Sequence, residues 1–490
     1  MATPLNQTAL ESLPRDVTTP AYDRDALSAG IVHVGVGNFH RAHMAVYLDR
    51  LFGQGESHDW AILGAGVRQG DAKMREALKA QDWLTTVVEL DPAGLSARVT
   101  GSMIDFAEVD PAQTIARMTD PAIRIVSLTV TEGGYFVDAV TDGFNAEHPE
   151  IKADAASLRA PKTVFGIILE ALRQRREAGT PPFTVMTCDN LPHNGKVCRR
   201  TTVELARLSD PDFADWVDGN VAFPNSMVDC ITPATSDRER QMVAERFGIT
   251  DAVPVACEPF RQWVLEDDFP QGRPALEKVG VEFVEDVAPF ELMKLRILNG
   301  GHAAIAYPSA LMGHHYVHDA MADPRVASWL EALELREIMP TLAPIPGTDY
   351  EEYRQTVATR FANPEVGDTI PRLCLDGSNR QPKFILPTIR DALAQDRPIE
   401  GLALEVALWC RYCAGTDEAG NAIPPNDDNH AELKDLALKA KEDPAAFLSN
   451  RMVFGALGQE LQFLRAFSDQ LHMLWNDGVA ATLDRYLAQG

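Results

Sequence analysis

IVHVGVGNFHRAHMAVYLDRLF, at residues 31–52, is the stretch of sequence that decides the fold. An apolar run leads into Gly35 and Gly37, which is typical of a buried strand that ends in a tight glycine turn. From Phe39 to Leu51 the apolar residues recur at helical spacing. Strand, turn and helix in this order predict the first unit of a Rossmann-type dinucleotide-binding domain.

The two glycines of this turn have a chemical purpose in dinucleotide-binding proteins. Gly35 permits the tight turn, and Gly37 lets the backbone come close to a pyrophosphate at the start of the helix. The third glycine of the G-x-G-x-x-G pattern is absent, because His40 stands in its place. A plain glycine turn therefore remains an alternative. Asn38 and Phe39, which follow Gly37, are the next candidates for cofactor contact.

An acidic residue after the second strand usually binds the adenosine ribose of a dinucleotide. The second strand candidate is 60–67, and Asp71 follows it with Arg68 close by. A carboxylate accepts a hydrogen bond from the ribose 2′-OH and repels a 2′-phosphate, whereas an arginine attracts that phosphate. Asp71 beside Arg68 predicts NAD as the cofactor, with some use of NADP. The alternative is that Asp71 only caps the helix that follows it.

The remaining chain divides into a mixed part and a helical part. Strand candidates at 124–136 and 183–191 enclose a helical pattern at 163–179, and such alternation predicts a mostly parallel sheet. Strand signals then fade, and long amphipathic segments dominate. We predict an α/β fold with an N-terminal Rossmann-type NAD-binding domain at 1–286 and a mainly α-helical, substrate-binding and catalytic C-terminal domain at 287–490.

Charge and composition exclude several classes of partner. Acids outnumber bases by 71 to 45, which gives a formal charge of −26, so the chain is not expected to bind nucleic acid or an anionic membrane surface. No stretch approaches the ~18 apolar residues of a membrane span, and the chain starts without a secretory signal pattern. Seven cysteines without a secreted-scaffold spacing predict reduced thiols and a cytoplasmic location.

Besides Glu291 and Arg296, the strongly polar residues of the otherwise apolar helical segment at 290–307 are Lys294, Asn299 and His302. Hydride transfer from an alcohol needs a base for the hydroxyl proton and a donor for the alkoxide-like oxygen. In an α-helix Lys294 and His302 lie about 80° apart and Asn299 about 60° further on, so all three can border one cleft. Burial lowers the pKa of an amine towards neutrality, as a lysine base requires. The alternative is a lysine that reaches solvent beside a helix-ending Asn-Gly.

A second carboxamide stands where the strand candidate at 183–191 ends. Asn190 closes that strand, and open α/β sheets bind ligands at the carboxyl ends of their strands. Asn190 and Asn299 could therefore bracket one oxygen. A common turn is the alternative interpretation of the Asp-Asn-x-Pro sequence.

Metal sites are the usual alternative for polarising an alcohol, and zinc would need three clustered ligands. The compact candidates are the pair Cys410 and Cys413 and the histidines His314, His315 and His318. The cysteines lie in an apolar helical pattern, where cysteine packs as a small hydrophobic residue. The histidines have no evident acidic fourth ligand. No metal is expected at either place.

Seven segments together resemble the polyol-specific long-chain dehydrogenase/reductase family. They are VGVGNFHRAH (34–43), TVTEGGYF (129–136), PKTVFG (161–166), TVMTCDNLPHNG (184–195), FPNSMVDCITP (223–233), CEPFRQWVLED (257–267) and MKLRILNGGH (293–302). The resemblance spans nearly the whole chain. TCDNLPHNG and the Lys-x4-Asn-x2-His pattern are its most specific parts.

The resemblance implies a reversible, zinc-independent and NAD-dependent oxidation of a polyol to a ketose by a monomer. D-mannitol and D-fructose are the expected pair, with D-arabitol and D-sorbitol as further polyols. Lys294 would be the general base, and Asn190 with Asn299 would hold the reacting oxygen. The remaining positions are Asp229, His302, Arg372 and Arg380 for the polyol, and Gly35, Gly37, Asn38, Phe39, Arg68 and Asp71 for the cofactor. Glu291, one helical turn before Lys294, is predicted to exchange the proton with water.

Two positions depart from the family pattern. NAD-selective relatives carry an acidic pair where this chain has Gly70 and Asp71, which permits some use of NADP. Arg380 stands where close relatives have a lysine, and its different geometry could shift the polyol preference.

Two other functions stay open at this point. A hexuronate reductase of the same family, acting on fructuronate or tagaturonate, would use Arg372 and Arg380 to attract a substrate carboxylate, but the acid Asp229 favours a neutral polyol. A nucleotide-binding protein without catalysis would not need Lys294.

Overall fold

The chain forms two compact units, residues 1–288 and 289–490. This architecture is taken from a computed structural model, which describes residues 2–138 and 143–489. The first unit contains strands and helices, and the second consists of helices and their connecting loops.

Fourteen strands are described in the first unit, and several of them are only two or three residues long. They are β1 (Thr3–Pro4), β2 (Val17–Thr18), β3 (Ala29–Val34), β4 (Ala61–Ala65), β5 (Thr85–Glu89), β6 (Ser96–Thr100), β7 (Met103–Phe106), β8 (Ile125–Leu128), β9 (Thr184–Thr187), β10 (Ser226–Asp229), β11 (Ile249–Thr250), β12 (Val255–Cys257), β13 (Gln262–Glu266) and β14 (Glu282–Val284).

Helices cover the sheets of this unit. The α-helices are Asn38–Ala42, Met44–Gly53, Asp71–Lys79, Pro111–Met118, Pro149–Ala156, Val164–Ala178, Asn194–Arg207, Pro211–Asn220 and Asp237–Phe247. The 3₁₀ helices are Gln7–Ser12, Arg24–Ala26, His58–Trp60, Glu132–Tyr135 and Leu276–Val279.

The main sheet has five parallel strands in the order β7–β4–β3–β8–β9. Counted from β3, this is the order 3-2-1-4-5 of a doubly wound Rossmann sheet, in which the strand order reverses between β3 and β8. Dinucleotides bind at such a reversal, beyond the carboxyl ends of the strands. The strand topology therefore directs attention to the residues that follow β3, β4, β8 and β9.

Side chains of β3 alternate between two apolar cores, as a strand buried on both faces requires. Val32 and Val34 belong to the core that includes the helix Val164–Ala178, whereas Ile31 belongs to the core on the other face. That helix starts at a Thr163 cap and stops at Gly179, whose φ of 70° is left-handed. The sequence predicts this helix because cap, apolar face and glycine stop are all local signals.

Three smaller sheets complete the first unit. Their strand orders are β12–β5–β6–β2, β10–β13–β14 and β1–β11. β12 pairs with β5 although Val255 and Val87, which face each other in the register, are far apart in the chain. Short strands with distant partners give little periodic signal, so sequence analysis does not find them.

The second unit is built from helices. Its α-helices are Ala288–Met293, Gly300–Leu311, Val317–Ala322, Pro324–Leu333, Tyr350–Phe361, Ile370–Leu373, Gly377–Phe384, Leu386–Ala394, Glu400–Cys413, His430–Ala440, Ala445–Leu448, Arg451–Phe454 and Leu461–Leu487. Two π-helical segments, Lys294–Asn299 and Glu334–Ile338, and two 3₁₀ helices, Met339–Thr341 and Leu457–Gln459, lie among them. Among the described residues, no helix has both the length and the apolar character needed to cross a bilayer.

Candidate functional site

Gly35 makes the tight turn at the reversal of the main sheet. Its φ is +94°, and a Cβ there would lie 2.1 Å from the carbonyl oxygen of Thr129. The hydroxyl of Thr129 donates to the carbonyl of Gly35 at 2.6 Å. Only glycine allows the ends of β3 and β8 to come this close, so the first glycine of the pattern is required by both conformation and packing.

The backbone at Gly37 is accessible at the position where a cofactor phosphate would be expected. Gly37 is exposed and directly precedes the helix Asn38–Ala42, and the nearest atom to a Cβ at this position would be 3.9 Å away. The Asn38 side chain is engaged elsewhere, because its amide donates to Thr235 Oγ1 at 3.0 Å. The ring of Phe39 stacks against His43 with centroids 4.8 Å apart.

A pair of buried histidines explains why the third glycine is missing. The rings of His33 and His40 are stacked with centroids 3.4 Å apart. A third glycine would let the helix pack closely on the strand, whereas here the His40 imidazole lies between them. The His33 ring nitrogens contact Ser127 Oγ at 2.8 Å and Thr129 Oγ1 at 3.0 Å. Burial lowers the pKa of His33 to about 3 and holds the pKa of His40 well below its usual value.

Asp71 closes the turn after β4. Its Oδ2 accepts hydrogen bonds from the backbone N–H groups of Val67 at 2.8 Å and Arg68 at 2.9 Å. Gly66 must be glycine here, because a Cβ would lie 2.4 Å from the Cβ of Asp71. Asp71 is the first residue of its helix and not the cap that precedes it. The structure thus brings Arg68 and Asp71 together at the end of the second strand of the sheet.

Asp189 organises the carboxyl ends of β8 and β9, and sequence analysis did not identify it. Its carboxylate accepts from the backbone N–H groups of Val130 and Thr131, both at 2.9 Å, and from the Tyr135 hydroxyl at 2.7 Å. Thr131 has φ 67° and ψ 160°, a conformation that is strained for any residue except glycine. Backbone strain of this kind is concentrated at functional sites.

Two predicted site residues lie at or just beyond strand ends of the first unit. β9 ends at Thr187, so the exposed Asn190 lies three residues beyond that strand and does not close it as predicted. Asp229 is the last residue of β10, with 5% of its surface exposed. The nearby Asn194 joins the two strands, since its amide donates to the carbonyl of Ser226 at 2.7 Å and to that of Asp189 at 3.0 Å.

Lys294 opens a π-helical segment that Asn299 closes. The helix continues without a break from Ala288 to Leu311 on either side of it. A π turn takes in about one residue more than an α turn, so Asn299 is rotated from Lys294 by roughly 40° and His302 by roughly 20°. In an α-helix these angles would be roughly 140° and 80°. The π segment therefore brings the three side chains closer to one face than the sequence-based estimate.

Lys294 is buried within the second unit, one helical turn after Glu291. Lys294 has 8% of its surface exposed, and Glu291 is half-buried. Arg296 has a different task, because its guanidinium donates to the carbonyl of Thr341 at 3.1 Å and forms an ion pair with Asp391. Arg296 thus anchors the helix.

His302 lies among charged residues of the second unit. Its ring stacks on Phe361 with centroids 4.1 Å apart, and its buried Nε2 has no partner among the described residues. Burial, followed by the charge of Arg372, lowers the pKa of His302 to about 3. The charges of Asp368, Arg360 and Arg380 also act on its pKa. Of the predicted residues, Arg380 contacts Arg372, since its guanidinium donates to the Arg372 carbonyl at 3.4 Å.

Asp368, another residue that sequence analysis missed, fixes the guanidinium of Arg372. Arg372 donates to both carboxylate oxygens, and although burial opposes ionisation, these bonds hold the pKa of Asp368 below its usual value. The side chain of Arg380 donates to the carbonyl of Leu373 at 2.8 Å. Both arginines are therefore oriented. A spacing of four residues between Asp368 and Arg372 was the available sequence signal.

The compact Cys and His candidates do not form a metal centre. Cys410 and Cys413 are buried in the helix Glu400–Cys413. His314 contacts Asp323 at 3.3 Å, and His318 contacts its neighbour Asp319 at 3.5 Å. Across residues 2–138 and 143–489 no three His, Cys, Asp or Glu side chains are grouped as metal ligands.

Comparison with known proteins finds similarity over nearly the full length. The family model described as the mannitol dehydrogenase Rossmann domain matches residues 29–278, and the model described as the mannitol dehydrogenase C-terminal domain matches residues 286–475. The chain is 58% identical to mannitol 2-dehydrogenase of Cereibacter sphaeroides over 97% of this chain and 100% of the relative. It is 43% identical to mannitol 2-dehydrogenase of Phaeosphaeria nodorum, over 98% of this chain and 85% of the relative.

Two solved structures are similar along the whole chain. One is the Pseudomonas fluorescens mannitol 2-dehydrogenase in ternary complex with NAD and D-mannitol, at 44% identity, full coverage of both chains and a TM-score of 0.86. The other is a substrate-free D-sorbitol dehydrogenase, at 37% identity, 98% and 100% coverage and a TM-score of 0.92.

Proposed function

The chain belongs to the mannitol dehydrogenase family, and on that premise we propose that it oxidises D-mannitol reversibly to D-fructose with NAD. The observation that carries the proposal is the buried Lys294 at the start of a π segment, which turns Asn299 and His302 towards the same face. The similar structure that holds NAD and D-mannitol supports the choice of cofactor and substrate.

The first unit is proposed to hold the cofactor. Gly35 makes the turn, and open backbone at Gly37 leaves room for the pyrophosphate, with Asn38 and Phe39 as the adjoining contacts. Asp71 uses Oδ2 for its own turn, so Oδ1 is available for a ribose hydroxyl.

Selectivity for NAD over NADP is proposed to come from the same turn. The negative charge of Asp71 opposes a 2′-phosphate, while the exposed Arg68 offsets part of that repulsion and allows some use of NADP. NAD, when bound, supplies the acceptor for the hydride.

Lys294 is proposed as the general base. Its neutral amine takes the proton of the hydroxyl that is oxidised, and the carboxamides of Asn190 and Asn299 donate to the oxygen as it becomes a carbonyl. In the reverse direction the ammonium returns the proton to the ketose oxygen. Glu291, one turn before Lys294, exchanges this proton with water.

Four polar residues are proposed to bind the other hydroxyls of the polyol. Asp229 accepts hydrogen bonds, and the arginines Arg372 and Arg380 donate them. With a pKa of about 3, His302 is neutral in the working range of pH, so it can donate from one ring nitrogen and accept at the other. The net charge of this group is small, because the ion pair with Asp368 neutralises Arg372.

Catalysis is proposed to be independent of zinc, because an amine base and two amide donors supply what a Lewis acid would otherwise provide. The first unit would serve the cofactor, and the second would provide the base and most of the polyol contacts. We also propose a cytoplasmic monomer. Its seven cysteines are free thiols, as in reducing compartments.

Reduction of a hexuronate remains the second candidate because of Arg372 and Arg380. The specific observation against it is the ion pair of Arg372 with Asp368, which already neutralises one of the two charges that a substrate carboxylate would need. Asp229 would add repulsion.

An assay of the purified protein separates these functions. NAD is offered with D-mannitol, D-arabitol and D-sorbitol, and NADH with D-fructose and D-fructuronate, each with and without a chelator. We expect the highest kcat/KM for the mannitol and fructose pair, unchanged by the chelator. Preferred reduction of fructuronate would reassign the substrate, and loss of activity on chelation would contradict metal-free catalysis.

A further inference from the structure

Two cysteines of the first unit adjoin each other at the ends of two strands. Cys230 directly follows β10, and Cys257 is the last residue of β12. The residues after them are joined, since Ile231 N donates to Glu258 Oε1 at 2.6 Å and Glu258 N donates to the carbonyl of Ile231 at 3.0 Å. Both thiols lie in the same small apolar cluster.

A fixed guanidinium lies against one of these sulfurs. Nη2 of Arg261 is 3.1 Å from Sγ of Cys257. The same guanidinium is held by Glu89 at 2.6 Å and by the carbonyl of Ala42 at 2.7 Å. A positive charge in contact with sulfur favours the thiolate, which is the reactive form of cysteine.

The pKa values of the two thiols are shifted in opposite directions. The hydrogen bond with Cys230, followed by the charge of Arg261, lowers the pKa of Cys257 although burial opposes this. The hydrogen bond with Cys257 and burial raise the pKa of Cys230. The guanidinium of Arg261 contacts Cys257 and not Cys230, so it favours the thiolate form at Cys257.

The other cysteines of the chain have no such environment. Burial raises the pKa of each of them, and they are Cys188, Cys198, Cys374, Cys410 and Cys413. All seven cysteines lie in the described part of the chain. The pair at β10 and β12 is thus chemically distinct.

We propose that Cys230 and Cys257 are a redox-sensitive pair that hydrogen peroxide converts into a reversible disulfide. The Cys257 thiolate attacks one peroxide oxygen, so that the O–O bond breaks and sulfenic acid and hydroxide form. Cys230 then attacks the sulfenic sulfur, the S–O bond breaks, and the thiol proton leaves with the oxygen as water. One thiolate, one thiol and one H₂O₂ give one disulfide, one water and one hydroxide, and a dithiol reductant reverses the change.

The position of the pair gives the oxidation a consequence for activity, and this part rests on the proposed function. Asp229, proposed to bind the polyol, directly precedes Cys230. The segment after Cys230 contains Thr235, whose hydroxyl oxygen accepts from the Asn38 amide at 3.0 Å in the cofactor turn. A new bond at Cys230 pulls this segment towards β12. We expect oxidation to lower kcat/KM for D-mannitol at least fivefold.

The experiment treats the full-length, reduced protein with hydrogen peroxide, blocks the remaining thiols in denaturant and measures the intact mass. We expect two fewer blocked thiols per chain and one disulfide-linked peptide pair that contains Cys230 and Cys257. Dithiothreitol should restore both thiols and the activity. Cys230→Ser and Cys257→Ser should keep the activity of the reduced enzyme, and neither should lose activity with peroxide.

Cys413→Ser is the matched control, because Cys413 is as buried as Cys230, at 8% and 7% exposed, and lies in the other unit. It should still form the linked peptides. A wild-type protein that keeps all its thiols, or that links other cysteines, would overturn the proposal. If the disulfide forms without a change in kcat/KM, the coupling to activity is wrong. A reduced protein that is inactive with mannitol would instead contradict the proposed function.

Discussion

Lys294 and Asn299 are the first and last residues of one π-helical segment in an otherwise continuous helix. The extra residue of the π turn rotates Asn299 back towards the face that carries Lys294. Because π segments cost helical hydrogen-bond geometry, they persist mainly where a site requires them. The π segment therefore brings the Lys294 amine and the Asn299 carboxamide closer to one face of the helix.

Replacing Lys294 by alanine tests the proposed base. We expect kcat to fall by about 10²–10⁴-fold, because a positioned general base contributes about that much. Lys439→Ala is the control, since Lys439 is an exposed lysine of the same unit. The measurement is kcat with D-mannitol across pH. Near-native turnover with an unchanged pH profile would rule out this role.

Asp71→Asn tests the origin of cofactor selectivity. The amide oxygen can still accept from Val67 and Arg68, so the turn is retained while the negative charge is removed. Repulsion between charges about 4 Å apart amounts to about 1–4 kcal/mol near a protein surface. We expect the ratio of kcat/KM for NAD to that for NADP to fall about tenfold or more. The control is Asp237→Asn, at the exposed start of another helix, which should leave this ratio unchanged. If the ratio also stayed unchanged in Asp71→Asn, residues other than Asp71 would determine the cofactor selectivity.

Arg380→Lys tests the proposed contact of Arg380 with the polyol. Lysine keeps the charge but loses the planar guanidinium that donates to the carbonyl of Leu373. We expect the KM for D-mannitol to change about threefold to tenfold relative to that for D-sorbitol, with kcat within about twofold. Arg390→Lys, an exposed change on a neighbouring helix, is the control. If Arg380→Lys and Arg390→Lys had the same ratio of the KM for D-mannitol to the KM for D-sorbitol, Arg380 would not contact the polyol.

Local patterns made the fold predictable. Strand, glycine turn and helix at 31–52 identify the Rossmann unit because each signal spans a few residues. The predicted fold class, family resemblance, enzyme class and use of NAD are confirmed by the family models and by the similar complex. The paired strands β5 and β12 were not predicted, since their partners are distant in sequence.

The site was only partly predictable. Lys294, Asn299 and His302 were recognisable as polar residues in an apolar segment, but the assumed α-helical period placed them too far apart around the helix. Asp189 and Asp368 were missed because their roles depend on backbone N–H groups and a guanidinium that only the folded chain brings to them. The roles of the individual site residues stay predictions.

The stacked pair His33 and His40 should make the first unit sensitive to acid. The folded pKa of His33 is about 3 and that of His40 is also lowered, against about 6.5 when unfolded. The unfolded chain therefore binds more protons below pH 6.5, so stability is complete above that value and is lost as the pH falls towards 3. Between pH 7 and 5 the loss amounts to about 2 kcal/mol for His33, and the lowered pKa of His40 adds to it in the same direction.

His40→Phe keeps an aromatic ring on His33 but cannot titrate. We expect its urea midpoint to fall less between pH 7 and 5 than that of the wild type. His472→Phe changes an exposed histidine of the helix Leu461–Leu487 and should behave as the wild type does. Equal acid sensitivity in all three proteins would contradict the assignment.

Glu405 should give the helical unit the opposite pH dependence. It is fully buried, and within the described residues only one of its carboxyl oxygens has a partner, the Gln381 amide at 2.6 Å. Burial raises its pKa to about 8, whereas the unfolded group titrates near 4.5. The folded chain therefore holds the extra proton, and stability is lost as the pH rises from 4.5 through 8.

Glu405→Gln removes this titration and keeps the shape of the protonated acid. At pH 7 the wild-type group costs about 3 kcal/mol relative to acid pH, and the variant avoids that cost. We expect the variant to raise the thermal midpoint at pH 8 and to change it little at pH 5. Glu432→Gln, at an exposed position on the helix His430–Ala440, should have no such pH-dependent effect. An equal shift at both pH values would mean that Glu405 acts through packing and not through its proton.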